Sequence, residues 1–443
     1  MALTTERSRV AHLLRRATFG AGVAEIDAAA RDGLQATIDR LLHPERRDED
    51  VESTVPRSVF DFTKGVDAVR WWTLRMRYAR RQFQEKLTFF WHGHLTSALS
   101  RTGGRPEYMV SQIDTYRDLA LGGFRDLVVA SAKSAAMIRW LDNNQNRKGK
   151  PNENYARELM ELFTLGIGAY SEQDIREAAR AFTGWFERNG EFYFVAQQHD
   201  TGAKTVLGHT GSWNGDDVID ILVRQPACAR FIAGKLWRFF AYPEPEPEVV
   251  DAIAAAFTGS GYSIRETMRA IFTHPAFYSD RAYHALVKSP LDFMLGFLRS
   301  LDGKTDGVGL QLFLGLTGHV PLNPPTVEGW PGGREWISTT ALLARYNLVS
   351  ALLRPGTDQP THVDVAGLLR SRGIAAADEM LDFFIDLMLD GDLSPAKRKI
   401  LADYLVAQDN DRSGPFTLDE RTVNNKVRGL IHLIATTPEY QMY

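Results

Sequence analysis

Apolar positions recur at three- and four-residue intervals along most of this chain, the spacing of amphipathic helices. Arg7 to Arg16 carries the pattern, Thr18-Phe19-Gly20 breaks it, and Val23 to Leu42 resumes it through Ile26, Leu34, Ile38 and Leu41. Val66 to Thr96 reads as one long helix or two abutting ones, rich in Trp, Arg and Phe. Further helices are predicted near 106–120, 124–132, 134–141, 152–165 and 171–183. They continue at 214–222, 227–240, 248–257, 264–273, 289–301 and 310–316, and the chain beyond Pro355 returns to the same periodicity. Strand composition occurs at Glu191 to Val195 and again at Thr205 to Leu207, with turn chemistry at His199 to Lys204 between them. The expected fold is therefore all-α: one large multi-helix domain over 1–443 with a small β-hairpin near 191–207. Two irregular segments interrupt it, a polar excursion at about 45–65 and a Pro/Gly/Trp-rich loop at 320–336.

Composition narrows the classes of function. The single cysteine, Cys228, excludes an internal disulfide framework and a Cys-rich zinc module. With 52 basic and 55 acidic residues the net charge is −3, which gives no global attraction to nucleic acid or an anionic membrane. No run of about 18 apolar residues occurs, so no membrane span is expected. Met1 to Arg16 has arginines at 7, 9, 15 and 16 and no apolar stretch after them, so as written it is not a secretory signal.

The densest chemistry lies in Pro151-Asn-Glu-Asn-Tyr-Ala-Arg-Glu-Leu-Met-Glu-Leu-Phe-Thr-Leu-Gly166. Asn152 or Asn154 suits a cap, Pro151 a start and Gly166 a stop. Helical spacing puts Asn154, Glu158 and Glu161 along one side, a row that fits an active-site wall better than a solvated face. Two carboxylates so placed suit either an acid/base pair or metal ligation; the bland alternative is a salt-bridge network with Arg157 or the arginines of the first helix.

Phe89-Phe-Trp-His-Gly-His-Leu95 sets His92 and His94 two residues apart where Gly93 loosens a helix end. That pair suits a divalent metal ion, or simply two imidazoles satisfying backbone carbonyls. His199, Asp200 and Lys204 sit at a turn able to present them rigidly to a pocket, or to close the turn through an Asx bond with Gly202 at positive φ. Trp330 and Trp336, among prolines and glycines, suit stacking on a sugar ring or capping of the helical core. No phosphate-binding loop, nucleophile elbow or His-Glu-x-x-His helix is present.

Taken in order, His12 to Gly20, Phe90-Trp-His-Gly-His94, Pro151 to Gly166 and Ala181-Phe-Thr-Gly-Trp185 resemble the bacterial family called domain of unknown function 1800. The resemblance continues through His199 to Lys204, Lys288-Ser-Pro290 and Pro324 to Gly333. It implies no reaction, since the family is named for lacking one. Many members look exported, which leaves export open for this chain. Several carry histidine where this chain has Phe163, so no ligand role transfers to that position.

Two classes of function follow. The first is a hydrolase or lyase acting on a small or oligosaccharide substrate through a His/Glu/Asp pocket. In it Glu158, Glu161, His199 and Asp200 are catalytic, Asn154, Lys204, Trp330 and Trp336 bind substrate, and His92 and His94 hold any metal. The second is a non-catalytic binding or assembly module whose polar residues form structural networks.

Overall fold

The computed structural model describes residues 3–356, 359–407 and 416–443. Helix accounts for 62 % of it, and the strands among the described residues form two small antiparallel pairs. The long predicted segment is two helices, Gly65–Tyr78 and Gln82–His94, parted at Ala79 to Arg81. Gln82–His94 is buried on almost every side, against Glu6–Ala17, Leu34–Leu42, Gly65–Tyr78 and Glu107–Leu119. Phe83, Leu87 and Trp91 are almost wholly inaccessible. A continuous apolar core runs from Leu13 to Tyr440, so the last helices close against the first. Arg15 in the first helix donates to the Leu387 carbonyl at 2.9 Å, and Val287 bridges to Met442.

A helix buried on all faces must pair every polar group it carries, because an unpaired one costs about 1–3 kcal/mol. Gln82–His94 follows this for most of its groups, Gln82 Oε1 and His92 Nδ1 excepted. Glu85 accepts from Arg75 at 3.1 Å and Arg117 at 2.6 Å. The Lys86 ammonium is paired with Asp292. His92 and His94 each bond a backbone group from a different segment.

The two expected strands form but do not pair with each other. Trp185–Arg188 pairs with Glu191–Phe194, and Lys204–Val206 with His209–Gly211. Each closes through a two-residue turn with both residues at positive φ, Asn189 and Gly190 (56° and 91°) and Leu207 and Gly208 (47° and 80°). Such turns match the strand twist and capture the nearest partner. The predicted single hairpin at 191–207 is thus replaced by two ribbons, with the short turn Ala196–Gln198 between them.

The 152–165 helix also differs from its expected form. Asn152 Oδ1 accepts the Asn154 amide at 3.0 Å and Asn154–Glu158 is α-helical. From Leu159 to Thr164 the chain widens into a π-turn, and both Leu165 and Gly166 amides bond the Met160 carbonyl. Gly166 ends it at φ 80°, where a Cβ would lie 2.9 Å from the Phe231 ring. Short π segments inside α-helices are frequent at functional sites.

The 320–336 loop is clamped to the end of Gln82–His94. The Leu99 amide donates to the Leu322 carbonyl at 2.8 Å, and Thr96 Oγ1 donates to the Val327 carbonyl at 2.5 Å. At Gly329, φ 94°, a Cβ would stand 2.6 Å from the Gly93 carbonyl oxygen, so this approach needs glycine on the loop.

Candidate functional site

The two histidines separate at Gly93. His92 Nε2 accepts the Leu322 amide at 3.1 Å, which makes its proton-bearing nitrogen Nδ1, and that atom is buried without a partner. Trp72 and Trp330 each lie edge-on at 5.3 Å, and burial with the nearby His319 lowers its pKa to about 3. His94 turns the other way. Its Nε2 donates to the Phe163 carbonyl at 3.0 Å, leaving Nδ1 as the lone-pair nitrogen. Burial, then the Lys235 charge, lower it to about 3 against the opposing carbonyl bond. His92 therefore pins the 320–336 loop, while His94 joins the π-turn that carries the glutamates.

Around that turn the polar groups converge. Glu158 and Glu161 are half-buried, and the Tyr170 hydroxyl donates to Glu161 Oε2 at 2.9 Å. Desolvation raises the pKa of Glu158, the Glu161 charge adds to this, Arg157 opposes it, and Glu328 raises it further. Tyr170 is pushed up by desolvation and by its bond to Glu161, which keeps it a proton donor. Arg157 does not neutralise the carboxylates. Its guanidinium grips Glu172 with two bonds of 2.8 Å and Glu153 at 3.2 Å, so the bland salt-bridge reading fails for Glu158 and Glu161.

Lys235, Phe231 and Glu328 complete the group, and the residue spacing did not single them out. Lys235 follows Phe231 by one helical turn in Pro226–Phe240, with its ammonium 5.3 Å from the Phe231 ring centroid. Burial lowers its pKa, as does Arg238, while Glu328 raises it. The detectable signal was a lysine inside the apolar run Ile232-Ala-Gly-Lys-Leu-Trp237. Glu328 sat in view between Val327 and Gly329 but had no partner until the loop met Gly93.

The other expected site residues lie apart from this group or are committed to the scaffold. His199 Nδ1 donates to the Thr183 carbonyl at 2.9 Å. Asp200 is gripped by Arg180 at 2.8 Å and held at about 2 by that bond, working against desolvation. Its Oδ1 accepts the Gly202 amide, closing the anticipated Asx turn, though Gly202 lies outside the left-handed region. Lys204 donates to the Asp200 and Gly202 carbonyls at 2.6 and 3.0 Å. These three residues build a turn. Asn154 is exposed at the first turn of its helix.

Trp330 stacks on Phe89 at 5.5 Å and meets His319 at 5.0 Å, and Trp336 tilts against His319 at 5.1 Å. Both indoles cap the core around a buried histidine that sequence reading passed over. Among the described residues no three His, Cys, Asp or Glu side chains converge as metal ligands. No described helix is long and apolar enough to cross a membrane.

The model of a family described as protein of unknown function (DUF1800) matches residues 12–442, and the chain belongs to that family. No curated protein and no solved structure matches it.

Proposed function

Membership in a family described only as of unknown function brings no reaction with it, and from the geometry we propose a hydrolase or lyase working by carboxylate acid/base chemistry on a polar substrate. Glu158 is the acid and gives its proton to the leaving-group atom. Glu161, its Oε2 held by the Tyr170 hydroxyl, is the base and takes a proton from water in hydrolysis or from substrate carbon in elimination. His94 fixes the π-turn through the Phe163 carbonyl, and Lys235 and Glu328 position charge at its rim.

The observation that carries this reading is the unequal environment of two neighbouring carboxylates. One is raised by desolvation and two like charges; the other is tied to a phenol that stays protonated. Environments that push two titratable groups apart are how one site holds an acid beside a base. An oligosaccharide is one polar substrate class for such a pair.

The test is Glu158→Gln against a panel of chromogenic glycosides and esters. Any substrate turned over by the wild type should be turned over about 10²-fold more slowly by the folded variant. Unchanged turnover removes Glu158 from the mechanism. A second reading, a binding or assembly module, is favoured by His92, His199, Asp200 and Lys204, whose polar groups are spent within the scaffold. A wild type inert to the whole panel supports that reading instead.

A further inference from the structure

A concavity lies away from these glutamates, between the helices Val23–Asp32 and Leu34–Leu42 and the corner at Tyr78 to Gln82. Its volume is about 950 Å³, the size of a small-molecule site. Ala24, Ala28 and Ala36 give it a low wall, and Arg40, Arg46, Arg47, Arg80 and Arg299 line it beside His43. Five arginines against two acids, Glu25 and Asp39, give the lining an excess of basic groups inside a chain of net charge −3.

Acids offset part of that charge, since Arg299, Arg80 and Arg40 each have a carboxylate partner, but they leave Arg46 and Arg47 unpaired. Glu25 is held by Arg299 at 3.0 Å, and Asp39 by Arg269 at 2.5 Å from outside the cleft. Glu45 pairs with Arg265 at 2.8 Å, and Asp50 with Arg80 at 2.7 Å. Glu49 accepts the Arg80 and Arg81 amides at 3.2 and 3.0 Å. Glu45, Asp48, Glu49 and Asp50 all lie outside the lining. Arg40 has Asp32 at 2.6 Å, whereas the guanidinium groups of Arg46 and Arg47 make no hydrogen bond or ion pair among the described residues. These two adjacent, solvent-exposed guanidinium groups line the cleft with no protein partner among the described residues, so both are open to an anion that enters it.

We propose that this cleft binds a phosphate-bearing small molecule with two or more negative charges, Arg46 and Arg47 supplying the forked contacts. The planar guanidinium matches phosphate oxygens two at a time, which a single carboxylate on a small ligand uses less fully. A long polyanion is disfavoured, because outside the cleft the balanced overall charge offers nothing to extend the contact. This site is independent of Glu158 and stands whatever becomes of the acid/base reading.

Inorganic pyrophosphate is the probe, titrated calorimetrically into the full chain with citrate and long-chain polyphosphate in parallel. Pyrophosphate should bind at low salt and weaken as salt rises. Arg46→Ala/Arg47→Ala should weaken it at least tenfold with an unchanged melting temperature, both side chains being exposed. Arg46→Lys/Arg47→Lys, which keeps the charge and loses the fork, should fall between. Equal pyrophosphate affinity in wild type and the alanine double variant overturns the assignment. So does citrate binding without pyrophosphate binding, or binding of long polyphosphate alone.

Discussion

His94 and Phe163 are joined by a 3.0 Å hydrogen bond in which the imidazole Nε2–H donates to the backbone carbonyl. The bond ties the end of the buried Gln82–His94 helix to the π-turn Leu159–Thr164, and so fixes where Glu161 stands. It also fixes one tautomer, since a carbonyl only accepts. With its pKa lowered to about 3 by burial and Lys235, His94 stays neutral through the physiological range and acts as a fixed strut, not as a titrating switch.

Glu158→Gln should raise the melting temperature at neutral pH. The folded-state pKa of Glu158 lies above its ordinary value of 4.5, so its favourable contribution is complete below that value and is lost as pH rises through the raised one. At pH 7 the charge meets Glu161 and Glu328 without an ion pair, and the amide removes that repulsion. The group is half solvated, so the gain should be small, within about 2 °C. Melting curves from pH 4 to 8 should show the difference vanish at the acidic end. A loss of stability at pH 7 would instead mean that Glu158 belongs to an ion pair.

His92→Ala should cost about 2–4 kcal/mol, from the cavity among Trp72 and Trp330 and from the stranded Leu322 amide. Denaturant unfolding measures the total. Hydrogen exchange at Leu322 separates the causes: it should accelerate beyond the global change, because His92 Nε2 is the acceptor that protects it.

How far the sequence revealed this molecule depended on whether the deciding contact was local. The helices were legible from period and caps, as at Asn214, whose side chain accepts the Asp216 and Asp217 amides. The Asx turn at Asp200 was legible for the same reason. The strand pairing differs from the single hairpin that the His199 to Lys204 turn suggests, because Asn189-Gly190 is the nearer turn and captures the 191–194 strand. The π-turn was hidden, since nothing in Leu159 to Thr164 departs from helical composition. The divergence of His92 and His94 was set by Leu322 and Phe163, which are 230 and 69 residues away. Lys235 and Glu328 reach the glutamates only through tertiary packing, so spacing could not name them.

Lys86→Met should destabilise the fold by about 3–5 kcal/mol, because it leaves the buried Asp292 carboxylate without its cation. Adding Asp292→Asn should recover part of that loss, which urea unfolding of the single and double variants will show. Burial raises Asp292, but the charge and hydrogen bond of Lys86 more than offset it, and its pKa sits below the ordinary 3.8. The stabilisation is therefore present above that value and lost as pH falls through the depressed one, so wild-type stability should drop at strongly acidic pH more than that of the double variant.

Glu158 should hold a proton more tightly than an ordinary glutamate, because burial desolvates it and Glu161 adds a like charge beside it. Carbon-13 NMR titration of the glutamate side-chain carboxyls, with Glu158→Gln to assign the resonance, measures this without a substrate. A midpoint for Glu158 clearly above 4.5, moving down in Glu161→Gln, is the expected result. A midpoint at or below 4.5 contradicts the assignment of Glu158 as the acid.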